Sequence, residues 1–387
     1  MNPRSGRLGG WYPTLRGAGA RNFEKLIWVE VLEPIWRYKL LGGIAKMSEE
    51  LNLIWLEGQD CAGCTISVKQ ASSPTLIDVL TGAIPGLDGL KLVYHPTLMF
   101  EWGDDASKVL VDAAEGKYDP FVLILEGAIP DEAAAAPGVF CVVGEYKEGL
   151  IKLSDIVKKL ADRCAAAVSI GSCASYGGIP HGIPNPTGAQ GLLEYLGREW
   201  KGALGLPVIC IPGCPPRPDN IIQILGQAVL AARGIAPLPE LDEWHRPVDF
   251  FGHTMHELCP ICGFYAEGID AHAFGDAGCL GALGCKGIIT NCNNTMWADG
   301  FGGCTGTGVP CFGCTHPDFP DAPTSPFFAK APAMPFILEN IKGMIAHAEM
   351  GFERLKPVIE SLLPQLPEFI TALDEQMEAE KDKKRKI

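Results

Sequence analysis

No run of about 18 uninterrupted apolar residues occurs in the 387-residue chain, so no membrane-spanning helix is expected. Positive charge is scarce as well. The formal net charge is -14, and the only basic run, Lys383 to Lys386, stands at the extreme C-terminus. A nucleic-acid surface needs clustered Lys and Arg to displace phosphate counterions, so that class of partner is excluded. An export signal is also missing. Arg4, Arg7, Arg16 and Arg21 form no twin-arginine pair, and Glu30, Glu33, Arg37 and Lys39 interrupt the apolar stretch from Leu26 to Ile44. Residues 1–47 therefore read as a retained N-terminal extension. Either it docks a partner through Trp28, Val29, Val31, Leu32, Ile35 and Trp36, or it precedes a natural start at Met47. A cytoplasmic location is expected, with any membrane association made through a partner.

Cysteine, by contrast, is abundant. There are 15, an odd number, in a chain whose length and 47% hydrophobic content allow a core of its own. Disulfide frameworks belong mainly to small secreted chains, so metal ligation in a reducing compartment fits better. Twelve of the cysteines fall into two groups. The first is dispersed: Cys61 and Cys64 in Cys-Ala-Gly-Cys, Cys173 in Gly-Ser-Cys-Ala, and Cys214 in Pro-Gly-Cys-Pro-Pro. The second is dense: Cys259, Cys262, Cys279, Cys285, Cys292, Cys304, Cys311 and Cys314, with His256 three residues before Cys259. Cys141, Cys164 and Cys210 fit no motif and read as small buried apolar residues.

Between residues 51 and 235 short apolar runs alternate with amphipathic stretches. Strands are expected at 51–56, 90–94, 121–125, 165–170 and 207–211, and helices near 65–81, 104–115, 154–164, 189–199 and 219–233. Near-continuous apolar strands separated by helices indicate a parallel sheet covered on both faces. The first cysteine group then follows the first, fourth and fifth strands, so all four thiols emerge at the carboxyl edge, where such sheets place ligands. Residues 236–325 change character, with dense Gly, Cys, Asn and Pro. Such a segment has little apolar material for a core, and its order is expected to come from metal. Helix-like stretches follow at 336–354 and 357–381.

Zinc competes for Cys-x-x-Cys pairs, and a lone pair beside a beta-alpha unit also suits a thioredoxin-like redox motif. The set offers more thiolates than one zinc needs, and iron-sulfur clusters, usually held by four cysteines, match it better.

At Leu56 to Cys64, Glu126 to Pro130, Gly171 to Ala174 and Pro212 to Pro215 the sequence resembles the small subunit of nickel-iron hydrogenases. The resemblance continues through His256 to Cys259, Cys279 to Gly287 and Pro310 to Cys314, and so covers most of the chain in collinear order. It implies an α/β fold: a flavodoxin-like doubly wound parallel sheet over 48–235, an irregular Cys-rich iron-sulfur domain over 236–325, and a C-terminal helical extension over 326–387. It also implies three iron-sulfur clusters. Cys61, Cys64, Cys173 and Cys214 map to a proximal 4Fe-4S cluster, and His256, Cys259, Cys279 and Cys285 to a distal one. The medial cluster, usually 3Fe-4S in this family, maps to Cys292, Cys311 and Cys314. Cys304 stands where relatives with the three-iron cluster commonly have proline, and a fourth thiolate there would complete a 4Fe-4S medial cluster. Cys262 is expected to be a thiol beside the distal cluster rather than a ligand.

Oxygen-tolerant relatives add two cysteines at the positions of Gly63 and Gly178, so that form is not expected. Glu126 and Asp60 lie near the proximal site in the family pattern, although surface solvation or a helix cap explains them equally well. His95, His181, His245, His253, His272, His316 and His347 have no such context and receive no role. The implied activity is electron relay between a large subunit's hydrogen-splitting nickel-iron centre and an external carrier or membrane redox protein. No catalytic residue is expected in this chain. The large subunit is the obligate partner, and a dimer of such heterodimers is compatible with the resemblance. A hydrogen-sensing subunit, a single-cluster quinone-reductase subunit and a structural metal-binding protein are the alternatives.

Overall fold

Each of the five apolar runs is a strand of one sheet in the computed structural model, which describes residues 50–133, 139–147, 149–300, 303–322 and 325–326. The strands are β1 (Leu51–Glu57), β2 (Leu90–Tyr94), β3 (Phe121–Glu126), and, after a small hairpin of β4 (Val142–Tyr146) and β5 (Gly149–Lys152), β6 (Ala166–Ile170) and β7 (Val208–Ile211). The sheet runs in the order β2-β1-β3-β6-β7, and every pair is parallel. This is the flavodoxin-like order, in which the winding direction reverses between β1 and β3.

Side chains alternate across the sheet with period two, and each face has its own core. Trp55, Ile124, Val168, Ile170 and Ile209 pack on one side with the helix Pro218–Ala232. Ile54, Leu56, Phe121, Leu123 and Leu125 pack on the other with the helices Asp104–Ala114 and Leu153–Ala161. β3, β6 and β7 are buried along their whole length, which is why they read as unbroken apolar runs.

The single helix expected over 65–81 is two, Gly63–Val68 and Leu76–Leu80. Ser72, Ser73 and Pro74 break the first, and Thr75 caps the second in a reciprocal capping box with Asp78. The helix expected over 189–199 is only Leu192–Leu196, bracketed by Gly191 and Gly197.

The chain divides into two compact units at Gly252/His253 rather than at 235/236. Residues after 235 still belong to the sheet unit because Phe250 and Phe251 return to its core, with Leu238 and Leu241 packed against them. Among its described residues the second unit contains one short helix, Cys262–Ala266, a series of 3-10 turns, and a two-residue strand pair. The N-terminal extension and the helical stretches expected at 336–354 and 357–381 lie outside the described residues. No helix among the described residues is long and apolar enough to cross a membrane.

Candidate metal centres

The first cysteine group converges at the carboxyl edge of the sheet, beside the point where the strand order reverses. Cys61 and Cys64 lie in the turn after β1 and the first turn of Gly63–Val68, Cys173 lies in the helix Ser172–Tyr176 after β6, and Cys214 lies after β7. The loops are laced together. Ser172 N–H donates to the Gly213 carbonyl at 2.9 Å, and Gly213 N–H donates to Ser172 Oγ at 3.0 Å. Ser67 Oγ donates to the Pro216 carbonyl at 2.6 Å, tying the Cys64 helix to the Cys214 loop.

Burial pushes the Cys64 thiol well up, and Glu126 and the other three thiols add to the shift. The Cys173 thiol is pushed up to about 12 by burial, reinforced by Cys214 and Cys61. Cys64 and Cys173 are half-buried and Cys61 and Cys214 exposed, so the four thiols face a common, partly open site at the sheet edge, suited to a strongly cationic core that converts thiols to thiolates.

Two glycines make room for it. A Cβ on Gly171 (φ +90°) would lie 2.5 Å from Cys64 Sγ, and one on Gly178 (φ +51°) would lie 2.7 Å from the Cys173 backbone nitrogen and 2.9 Å from its Sγ. Any side chain at 178 would therefore collide with a candidate ligand.

Glu126 is 1% exposed, which rules out the surface-solvation reading. Its Oε1 accepts from Cys64 N–H at 3.0 Å and Thr65 N–H at 3.2 Å. Its Oε2 accepts from Thr65 Oγ1 at 2.6 Å and Trp55 Nε1 at 3.3 Å. The carboxylate thus caps the helix that carries Cys64 and fixes that cysteine against β3. Burial raises the Glu126 pKa, while hydrogen bonds from Thr65 oppose the rise. Asp60, partly in solvent, has its carboxyl pushed up to about 7 by desolvation and by Glu126 and Glu57. His95, given no role from sequence, is buried against the Trp55 ring with Nε2 3.3 Å from Thr65 Oγ1. Burial pushes its pKa down to about 4, so it is a neutral structural partner of this network.

In the second unit, His256, Cys259, Cys279 and Cys285 line one cavity. Main-chain bonds assemble it: His256 N–H donates to the Gly287 carbonyl at 2.9 Å, and Cys259 N–H donates to the His256 carbonyl at 3.1 Å. Burial lowers the His256 pKa, favouring the neutral imidazole that a metal needs, and the Tyr265 ring stands edge-on to it at 4.8 Å. Nothing in the sequence singles out Tyr265, because only the fold brings it onto the histidine. Cys262 lines the same cavity, so it is a neighbour of this site and not a remote thiol.

The remaining cysteines gather around Cys311, which is 5% exposed. Burial raises its thiol, and Cys285, Cys314 and Cys304 add to the rise. Cys304 accepts from Asn294 Nδ2 at 3.9 Å. Cys292 is tied in through its neighbour Asn291, whose carbonyl accepts from Thr315 Oγ1 at 2.7 Å, next to Cys314. Among the described residues no three His, Cys, Asp or Glu side chains approach closely enough to share one metal ion.

Comparison with known proteins decides the family. Residues 61–228 match the model described as NADH ubiquinone oxidoreductase, 20 Kd subunit, and residues 251–328 match that of the C-terminal part of the NiFe/NiFeSe hydrogenase small subunit. The periplasmic [NiFeSe] hydrogenase small subunit of Desulfomicrobium baculatum is 34% identical over 324 residues, spanning 80% of this chain and 98% of its own length. The chain belongs to the nickel-iron hydrogenase small subunits. Another such small subunit, that of the F420 non-reducing hydrogenase II of Methanosarcina mazei, is 33% identical over 76% of this chain and 79% of its own length. The actinobacterial-type NiFe-hydrogenase from Ralstonia eutropha H16 superposes with a TM-score of 0.70 at 36% identity, covering 84% of this chain and 92% of that one. A hydrogenase small subunit is part of an oxidoreductase that works with a large subunit. The match over 251–328 separates the chain from a single-cluster quinone-reductase subunit, because it lies in the segment carrying the second cysteine group.

Proposed function

We propose that this small subunit relays electrons between the hydrogen-splitting centre of its large subunit and an external acceptor, through three iron-sulfur clusters. Bound clusters of this kind supply one-electron storage at potentials set by their ligands and surroundings. Cys61, Cys64, Cys173 and Cys214 would hold a proximal 4Fe-4S cluster, and His256, Cys259, Cys279 and Cys285 a distal one. Cys292, Cys304, Cys311 and Cys314 would hold a medial 4Fe-4S cluster. Cys304 is included because its thiol is one of those acting on buried Cys311. His256 in place of a fourth thiolate removes one negative charge and raises the distal potential.

One observation carries the relay reading: Cys311 N–H donates to Cys285 Sγ at 3.2 Å. A ligand of the medial set thereby touches a ligand of the distal set, as consecutive stations of a relay require. Glu126 contributes by holding Cys64 through its backbone, so that the proximal thiolates keep their places while electrons pass.

Iron and acid-labile sulfide analysis of the complex purified with its large subunit tests the reading. About thirteen irons per heterodimer are expected, twelve in this chain and one in the large subunit's nickel-iron centre, and about twelve with a three-iron signal in the oxidised protein would remove Cys304 from the ligand set. A zinc-only protein would overturn the relay altogether. His256→Ala should abolish the distal signal, and an unchanged cluster count would assign the position to Cys262 instead.

A further inference from the structure

Between the sheet and the helices Leu76–Leu80 and Pro218–Ala232, packing leaves a cavity of about 30 Å³. Leu53, Leu92 and Ile124 line it from the sheet, and Val79, Ile222 and Val229 from the two helices. Among the described residues, Trp55 and His95 are the only side chains in its lining that carry a polar atom, and their nitrogens are engaged elsewhere. Trp55 Nε1 donates to Glu126 Oε2 at 3.3 Å. His95 Nδ1 accepts from Thr97 N–H at 3.2 Å, and its Nε2 lies 3.3 Å from Thr65 Oγ1. A buried water needs about two to four polar partners, and this lining has no side chain to offer one. The space is therefore dry, although it is roughly twice what a single water requires.

Gly226, also in the lining, lies inside the helix Pro218–Ala232, where glycine is among the least favourable residues. Crowding does not require it there. An added Cβ would have Leu87 Cδ1 at 3.5 Å as its nearest contact, an ordinary van der Waals distance. A longer side chain at this position would take up cavity space, so the glycine leaves the cavity open at a cost to the helix. We propose that this cavity is a binding site for one small nonpolar gas molecule, of the class of xenon, dioxygen or dihydrogen. Such a molecule asks for no hydrogen bond and gains dispersion contacts with walls that otherwise face empty space. Dry apolar cavities in proteins take up ligands of this kind. The site lies wholly within the sheet unit and no candidate ligand cysteine lines it, so it is independent of the cluster assignments.

The test is crystallography of the complex purified with its large subunit, before and after pressurisation with xenon, whose anomalous scattering locates it. A xenon peak is expected among Leu53, Val79, Leu92 and Val229, in a space that holds no ordered water before pressurisation. Gly226→Leu and Leu92→Phe narrow the cavity from the helix and from the sheet. In each the peak should be lost while xenon peaks elsewhere in the crystal remain, so either variant serves if the other fails to fold. The proposal is overturned if the parent shows no peak there at pressures the crystals survive, or if an ordered water fills the space in unpressurised crystals. It is equally overturned if the peak keeps its height in every variant that folds, because the xenon then lies outside the cavity these residues line.

Discussion

The two halves of this protein position cysteines by opposite means. In the sheet unit, Cys61, Cys64, Cys173 and Cys214 hang from strand ends that two apolar cores already hold in register. Both cores lie entirely within residues 51–251. Among the described residues from His253 onward, the buried apolar side chains are few, among them Met255, Leu280 and Phe319, and Cys259 and Cys311 of the candidate ligand sets are buried with them. One site is placed by a fold, whereas the others largely take the place of one. A ligand that belongs to a scaffold is positioned before metal arrives, while a ligand that belongs to a metal-built interior is ordered by it.

Removing iron tests this contrast most severely. After chelation of the complex, amides of the second unit are expected to lose most of their hydrogen-exchange protection, while β3, β6 and β7 keep theirs. Equal protection in the two units would break the comparison. The next largest effect belongs to the sheet: Phe121→Ala, at a fully buried side chain, should cost about 3–5 kcal/mol in a denaturant melt with the second unit's cluster signals retained. Glu126→Gln should cost about 1–3 kcal/mol, because an amide cannot accept from all four donors that converge on the carboxylate. Its effect on the electron paramagnetic resonance signals should be confined to the proximal centre. The smallest change is Thr75→Ala, which removes a capping box from a peripheral helix and should cost about 1 kcal/mol with every cluster intact. A cluster lost in this last variant would show that even the scaffold's edge bears on the ligands.

Much of the sheet unit is legible in the sequence because burial on both faces leaves little room for anything but apolar residues. The five strands follow from that alone, and the convergence of four thiols follows from their parallel direction. The hairpin of β4 and β5 is not legible. Its residues are mostly exposed or half-buried, so no alternation marks them. The unit boundary is hidden because composition changes near 236, while the chain does not leave the sheet's core until after Phe251. In the second unit, spacing and resemblance point to the cysteine sets. They give no hint that a lysine in this segment, ordinarily a surface residue, is buried, or that Tyr265 stands against His256.

The carboxyl-edge arrangement has a consequence for the order in which this protein is made. Cys61 and Cys214 are brought together only after β7 has joined β6, so a nascent chain ending before that strand carries part of a site. Long-range parallel pairing is among the slower events of folding. A cluster held as proposed by these four cysteines would thus be a late arrival at an early segment: Cys61 and Cys64 would wait for one of the last strands of the sheet before they could be loaded.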